Sequence, residues 1–174
     1  MMSRIKPQEV TKETEKIFGE IQSAFGMVPN LFKTYAHHPA LLEANWNKVK
    51  AVMMQGSLSD KAKQAIAVLV SKDNGCKYCV AAHRGALKSI GVSDEELAKI
   101  EENIALADFT AKEKALIDFA RSANRDPLRI PDTDFQTLRG TGATDAEIIE
   151  ALGVMEVFTS FNKFLDSLQV AIDF

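Results

Sequence analysis

The chain has 174 residues, 46% of them hydrophobic and 26% charged, and a formal net charge of −3 from 24 acidic and 21 basic side chains. That is enough chain to bury a core in one domain, and too ordinary a composition for a disordered or collagen-like protein; the mild acidity argues against a basic face for nucleic acid. The only two cysteines, Cys76 and Cys79, stand too close together to staple a fold, which excludes a disulfide-framework domain.

Along the chain, Met1 to Glu9 carries basic residues with no apolar segment behind them. The longest aliphatic stretch, Ala65 to Val70, is far too short to span a bilayer. A cytoplasmic protein is therefore expected, and no membrane partner. In that compartment a close cysteine pair is redox-active or metal-binding rather than structural. Apolar residues recur at three- and four-residue spacing almost throughout, with glycine and proline between the periodic segments, so the chain reads as all-α. A first helix is expected from about Thr11 to Phe25, followed by the loop Gly26 to Asn30 and a short helical turn from Leu31 to Ala36. Pro39 suits the first turn of a helix running to about Met54. After Gly56 and Ser57, Ser59 or Asp60 caps a helix that carries Ala65, Ile66, Val68, Leu69 and Val70. Asn74-Gly75 ends it, and a further helix begins at about Cys76 and stops near Ile90-Gly91. Capping boxes are expected at Ser93 to Glu96, Thr110 to Glu113 and Thr144 to Glu147. Asn124 to Pro131 reads as a loop, and Thr144 to about Ile172 as one long helix or a broken pair. Gly91 to Glu96 faintly echoes Gly142 to Glu147, because good helix starts look alike. With no linker in sight, residues 1–174 are taken as one domain.

The chemistry concentrates in Asn74-Gly75-Cys76-Lys77-Tyr78-Cys79-Val80-Ala81-Ala82-His83. On a helix, positions 76, 79 and 83 fall within an arc of roughly 60° and share one face. In the first turn, unpaired amides and the helix dipole favour a thiolate. His83, one turn beyond Cys79, stands where a base would take a thiol proton. Such a set supplies a nucleophile, a resolving thiol and a base. A peroxide would convert the thiolate to a sulfenic acid, which the second cysteine condenses to a disulfide, and an outside thiol would then restore the dithiol. Three other readings stand beside this one. A zinc site would need a fourth ligand, from His37, His38 or an acidic group, and no second Cys/His pair exists. The cysteines and histidine could simply be core residues. A thioredoxin-like site requires βαβ strands, which the pattern lacks. His37 and His38 point in different directions and read as exposed or capping residues. Trp46 and the phenylalanines read as core or interface. Phe158, Phe161, Phe164 and Leu165 have the spacing of a packed helix face, or of a pocket wall. Lys163 and Asp166 read as a surface ion pair or interface contact, and Glu101-Glu102 as a solvated face.

These residues resemble the carboxymuconolactone decarboxylase superfamily, in its alkylhydroperoxidase D-like, peroxidase-related branch. The similarity rests on the C-x-x-C-x-x-x-H core of Cys76, Cys79 and His83. It extends to Gly26 to Phe32, His38 to Ala44, Lys112 to Ala120 and Phe161 to Leu168. The resemblance implies a single-domain helical bundle and a homo-oligomer, trimeric or hexameric. It also implies peroxide reduction with a thiol or dithiol electron donor and no metal or other cofactor. It makes Cys79 the peroxide-attacking cysteine, Cys76 the resolving one and His83 the relay histidine. The family's relay often has a glutamate twelve residues before the first cysteine; here that position is Gln64, which cannot accept a proton. Gln64 reads equally as a helix-surface residue. The alternative activity is a thiol–disulfide oxidoreductase, or a redox relay or sensor. Lactone decarboxylation does not call for the cysteine pair.

Overall fold

The computed structural model describes residues 3–174, and among them nine α-helices, two short 3₁₀ turns and no strand. The helices are α1 (Glu15–Phe25), α2 (Asn30–Tyr35), α3 (Pro39–Met53), α4 (Asp60–Asp73), α5 (Lys77–Ser89), α6 (Asp94–Glu102), α7 (Ala111–Arg125), α8 (Asp132–Gly140) and α9 (Asp145–Leu168). The all-α architecture expected from periodicity is the one observed. No helix among the described residues is long and apolar enough to cross a membrane.

At the centre lies α4. Every residue from Ala65 to Ser71 is buried, so the helix is apolar around its whole circumference and must be enclosed. α5, α7 and α9 pack around it. α9 runs unbroken for 24 residues, or about 36 Å at 1.5 Å per residue. Gly153, in its middle, lets α3 pack closely, because a Cβ there would press on Val52 at 3.1 Å.

Several boundaries differ from the sequence expectation. α1 starts at Glu15 rather than Thr11, because the Thr11 N–H donates to Thr14 Oγ1 at 2.9 Å and the two threonines close a separate turn first. Cys76 is the N-cap of α5 rather than its first residue. The segment Asn124 to Pro131 is not all loop: α7 reaches Arg125, and Pro127–Arg129 forms a 3₁₀ turn. α8 buries only Leu138, too little apolar repetition to announce a helix. The boxes at Thr110 and Thr144 are complete, but Ser93 forms half of one. There the Glu96 carboxylate accepts from Lys61 at 2.8 Å and from the Asp108 N–H at 2.7 Å, drawn away by a tertiary cation.

Candidate active site

The link between α4 and α5 sets the site. Gly75, at φ +77°, donates its N–H to Lys72 O, and Cys76 donates to Ser71 O at 2.9 Å. This is a Schellman ending, whose left-handed residue glycine adopts without a Cβ clash. It turns the chain immediately into α5, with Cys76 as N-cap and Cys79 one turn in. Both cysteines are free and buried, Cys76 at 0% exposure and Cys79 at 3%.

A cavity of about 610 Å³ opens between α5, α9 and the α1–α3 region. Cys79 lines it and Cys76 does not. His83 and Gln64 share the wall with Cys79, alongside Phe158, Phe161 and Phe174, and no lysine, arginine, aspartate or glutamate lines it. The structure therefore brings Cys79, His83 and Gln64 onto one apolar cavity, with Cys76 sealed behind. Gln64 is not a bystander on a helix surface: its Oε1 lies 2.6 Å from His83 Nδ1. With an amide oxygen as acceptor, Nδ1 carries the hydrogen and donates it, so Nε2 keeps its lone pair. The edge of Phe158 meets the imidazole at 4.2 Å between ring centroids. Burial pushes the His83 pKa down to about 3, and the ring is neutral at physiological pH.

The two thiols are unequal. The Cys79 thiol hydrogen-bonds to the Cys76 sulfur and, with the nearby Cys79 backbone N–H, holds the Cys76 pKa below that of a free thiol. Asp166, an exposed carboxylate on α9, opposes this from beside Cys76. Cys79 is pushed well up by that same Cys76 contact and by burial, with partial relief from Asn162 and Ser71. Asp166 is thus a neighbour of the dithiol, where the sequence offered only a surface pair with Lys163. Ser71 escaped notice altogether; its signal was a polar residue ending a buried apolar run.

The remaining sequence candidates lie elsewhere. His37 Nε2 is 2.9 Å from Lys6 O, and His38 Nδ1 accepts the Leu41 N–H at the start of α3, so both are the exposed or capping residues expected. Trp46 is a core residue at 2% exposure. Phe158 and Phe161 serve core and cavity wall together, and Phe164 stacks on Tyr35 at 3.9 Å. Glu101 is no solvated residue: it is buried and paired with Arg84 and Lys72. Among the described residues, no group of three or more His, Cys, Asp or Glu side chains converges as a metal site would require.

The all-helical fold that carries this dithiol and histidine is like that of the alkylhydroperoxidase AhpD core. Residues 39–122 match the model of the carboxymuconolactone decarboxylase family. The alkylhydroperoxidase AhpD core of a peroxidase-related protein from Ralstonia eutropha JMP134 superimposes with a TM-score of 0.87 at 26% identity, covering 99% of this chain and 93% of that one. A peroxidase-related protein from Silicibacter sp. TM1040 gives 0.86 at 27% identity, covering 98% and 92%. An alkyl hydroperoxide reductase from Mycobacterium tuberculosis is 24% identical over 94 residues, which is 54% of this chain but only 27% of that protein's length.

Proposed function

We propose that this protein is a thiol-dependent peroxidase that reduces organic hydroperoxides through Cys79 and Cys76. The observation that carries the reading is the placement of the Cys79 thiol on an uncharged apolar cavity beside a neutral imidazole, with a second thiol already in contact. In the first step the Cys79 proton passes to His83 Nε2 in concert with attack of the sulfur on the terminal peroxide oxygen, so that no free thiolate–imidazolium pair has to accumulate in the apolar cavity. The O–O bond breaks, Cys79 becomes a sulfenic acid, and the alkoxide leaves as the alcohol with the proton from His83. In the second step Cys76 gives up its proton and attacks the Cys79 sulfur; the S–O bond breaks and the hydroxide leaves as water with that proton, giving the disulfide. The sum is two thiols and one hydroperoxide converted to a disulfide, an alcohol and water. A thiol or dithiol donor then returns the disulfide to the reduced state by exchange. Gln64 holds the imidazole in the tautomer this sequence needs.

Size and apolarity of the cavity support a hydroperoxide bearing a bulky uncharged hydrocarbon group in preference to hydrogen peroxide. Burial of both sulfurs disfavours the alternative of a relay attacked directly by a folded protein, and favours a donor slender enough to enter the cavity. The resemblance carries two further proposals. One is a single domain, supported by the one continuous core. The other is a trimeric or hexameric homo-oligomer, supported by exposed apolar residues such as Leu106, Leu128 and Ile149.

The test is peroxide consumption with an excess dithiol. Cys79→Ser is expected to abolish turnover of an aromatic tertiary hydroperoxide, and Cys76→Ser to allow one equivalent and then stop. Wild type is expected to prefer that substrate to hydrogen peroxide at least tenfold in kcat/KM. Full activity in Cys79→Ser overturns the mechanism.

A further inference from the structure

Behind the dithiol, away from the cavity, lies a linked set of uncharged polar side chains that the mechanism above does not use, exposed at Asn74 and buried at its inner end. Asn162 on α9 is 1% exposed and Ser71, in the last turn of α4, is 0% exposed. Thr159 Oγ1 donates to Asn124 Oδ1 at 2.7 Å, and Asn124 Nδ2 donates to Asn74 Oδ1 at 3.0 Å. Asn74 Nδ2 donates to Asn162 Oδ1 at 3.0 Å, which turns the Asn162 amino group inward, where it donates to Ser71 Oγ at 3.0 Å. Ser71 Oγ has thereby accepted one hydrogen and has its own to give. Its backbone carbonyl already holds the Cys76 N–H, so the residue is fixed at the mouth of the Cys-x-x-Cys turn. The chain runs from α9 to α7, through the α4–α5 link to α9 again and back to α4; Asn74 Nδ2 also returns a bond to Asn124 Oδ1 at 3.1 Å, and Ser71 and Asn162 both bear on the Cys79 thiol.

We propose that Ser71 and Asn162 form a donor pair that positions the Cys79 sulfur and takes up its negative charge as the proton leaves for His83. An anion buried among apolar groups needs such donors, and no lysine or arginine lines the cavity beside it. Calling Cys79 the sulfur that meets the peroxide rests on the function proposed above; the donor pair itself does not require that a peroxide be the substrate.

The test is labelling of the fully reduced protein with iodoacetamide from pH 6 to 10, the site read by peptide mass. The titratable groups facing Cys79 are Cys76 at the N-cap of its helix, His83 one turn on, Tyr78 beside it and Tyr35 at the end of α2, with Asp166 of α9 behind Cys76. Both tyrosines are pushed up by burial and remain protonated over most of the range. Ser71→Ala is expected to move the Cys79 labelling profile up by about one pH unit, so that labelling at pH 8 is roughly tenfold slower. Asn162→Ala moves it the same way, whereas Thr159→Val, at the far end of the chain, moves it less. A folded Ser71→Ala variant with an unchanged profile overturns the proposal, and so does a lower melting temperature without a shift, which is what a purely structural cluster would give. If Asn162→Ala does not fold, Ser71→Ala decides alone. The assay contains no peroxide. A protein that labels as expected but consumes none refutes the peroxidase reading and leaves the donor pair standing.

Discussion

An amide carbonyl facing Nδ1 fixes the tautomer of His83 but supplies no negative charge to keep a proton on the ring. The consequence is a histidine whose folded pKa, about 3, lies below its ordinary value of 6.5. Between those values the unfolded chain binds a proton that the folded one refuses, so stability is complete above pH 6.5 and falls as the pH drops, by about 1.4 kcal/mol per pH unit. The fall in stability between pH 7 and 5, measured by denaturant unfolding, is expected to be steeper in wild type than in His83→Gln by this slope; Asp118, whose carboxyl is pushed up by burial, contributes equally to both and cancels in the difference. Gln64→Glu puts a carboxylate against Nδ1–H and raises the His83 pKa, which NMR titration of the ring would read. The same variant is expected to raise the peroxidase rate at least tenfold if proton transfer limits it. The helical register of Cys76, Cys79 and His83 was legible in the sequence because it is local. The partnership of Gln64 with His83 was not, because it joins two helices and depends on how they pack.

At the level of elements, helix starts and stops were the most readable feature, since capping is decided within a few residues. The echo between Gly91 to Glu96 and Gly142 to Glu147 has a structural reason. In both, a helix ends in a Schellman pair, Val92 N–H to Leu87 O and Ala143 N–H to Leu138 O, and the next helix is capped by the following hydroxyl. The two copies diverge at their glutamates. Glu147 returns to the Thr144 N–H at 2.8 Å, whereas Glu96 is taken by Lys61. Thr144→Ala is therefore expected to cost about 1 kcal/mol, a fall of about 2–4 °C in Tm. Ser93→Ala, removing half a box, should cost less, and calorimetry of the two variants checks the order. α8 marks the other limit of the sequence, because one buried leucine leaves no periodicity to detect.

The assembled molecule also secures a segment that the sequence assigned to the last helix. α9 stops at Leu168, and Gln169 takes φ +51°, so residues 170–174 leave the helix axis and lie against α2 and α5. The Asp173 carboxylate accepts the Asn30 N–H at 2.8 Å and the Tyr78 hydroxyl at 2.9 Å, and Phe174 meets the Tyr78 ring edge-on while closing one wall of the cavity. Asp173→Ala is expected to speed amide hydrogen exchange at Asn30 and Leu31 at least tenfold while leaving α4 protected. Equal exchange in the variant would assign the tail's attachment to the Asn30 side chain and Phe174 instead. None of this could be read from the chain, since Tyr78 and Asp173 are 95 residues apart and Asp173 belongs to no motif. On the opposite wall, the edges of Phe25 and Phe32 meet Trp46 at 5.6 and 5.7 Å, and both phenylalanines line the cavity. Trp46 is the sole tryptophan of the chain. A molecule entering the cavity must disturb the rings against which that indole rests. The protein thus carries its own optical probe: occupancy can be followed as a change in tryptophan emission, with no dye attached and before any bond is made or broken.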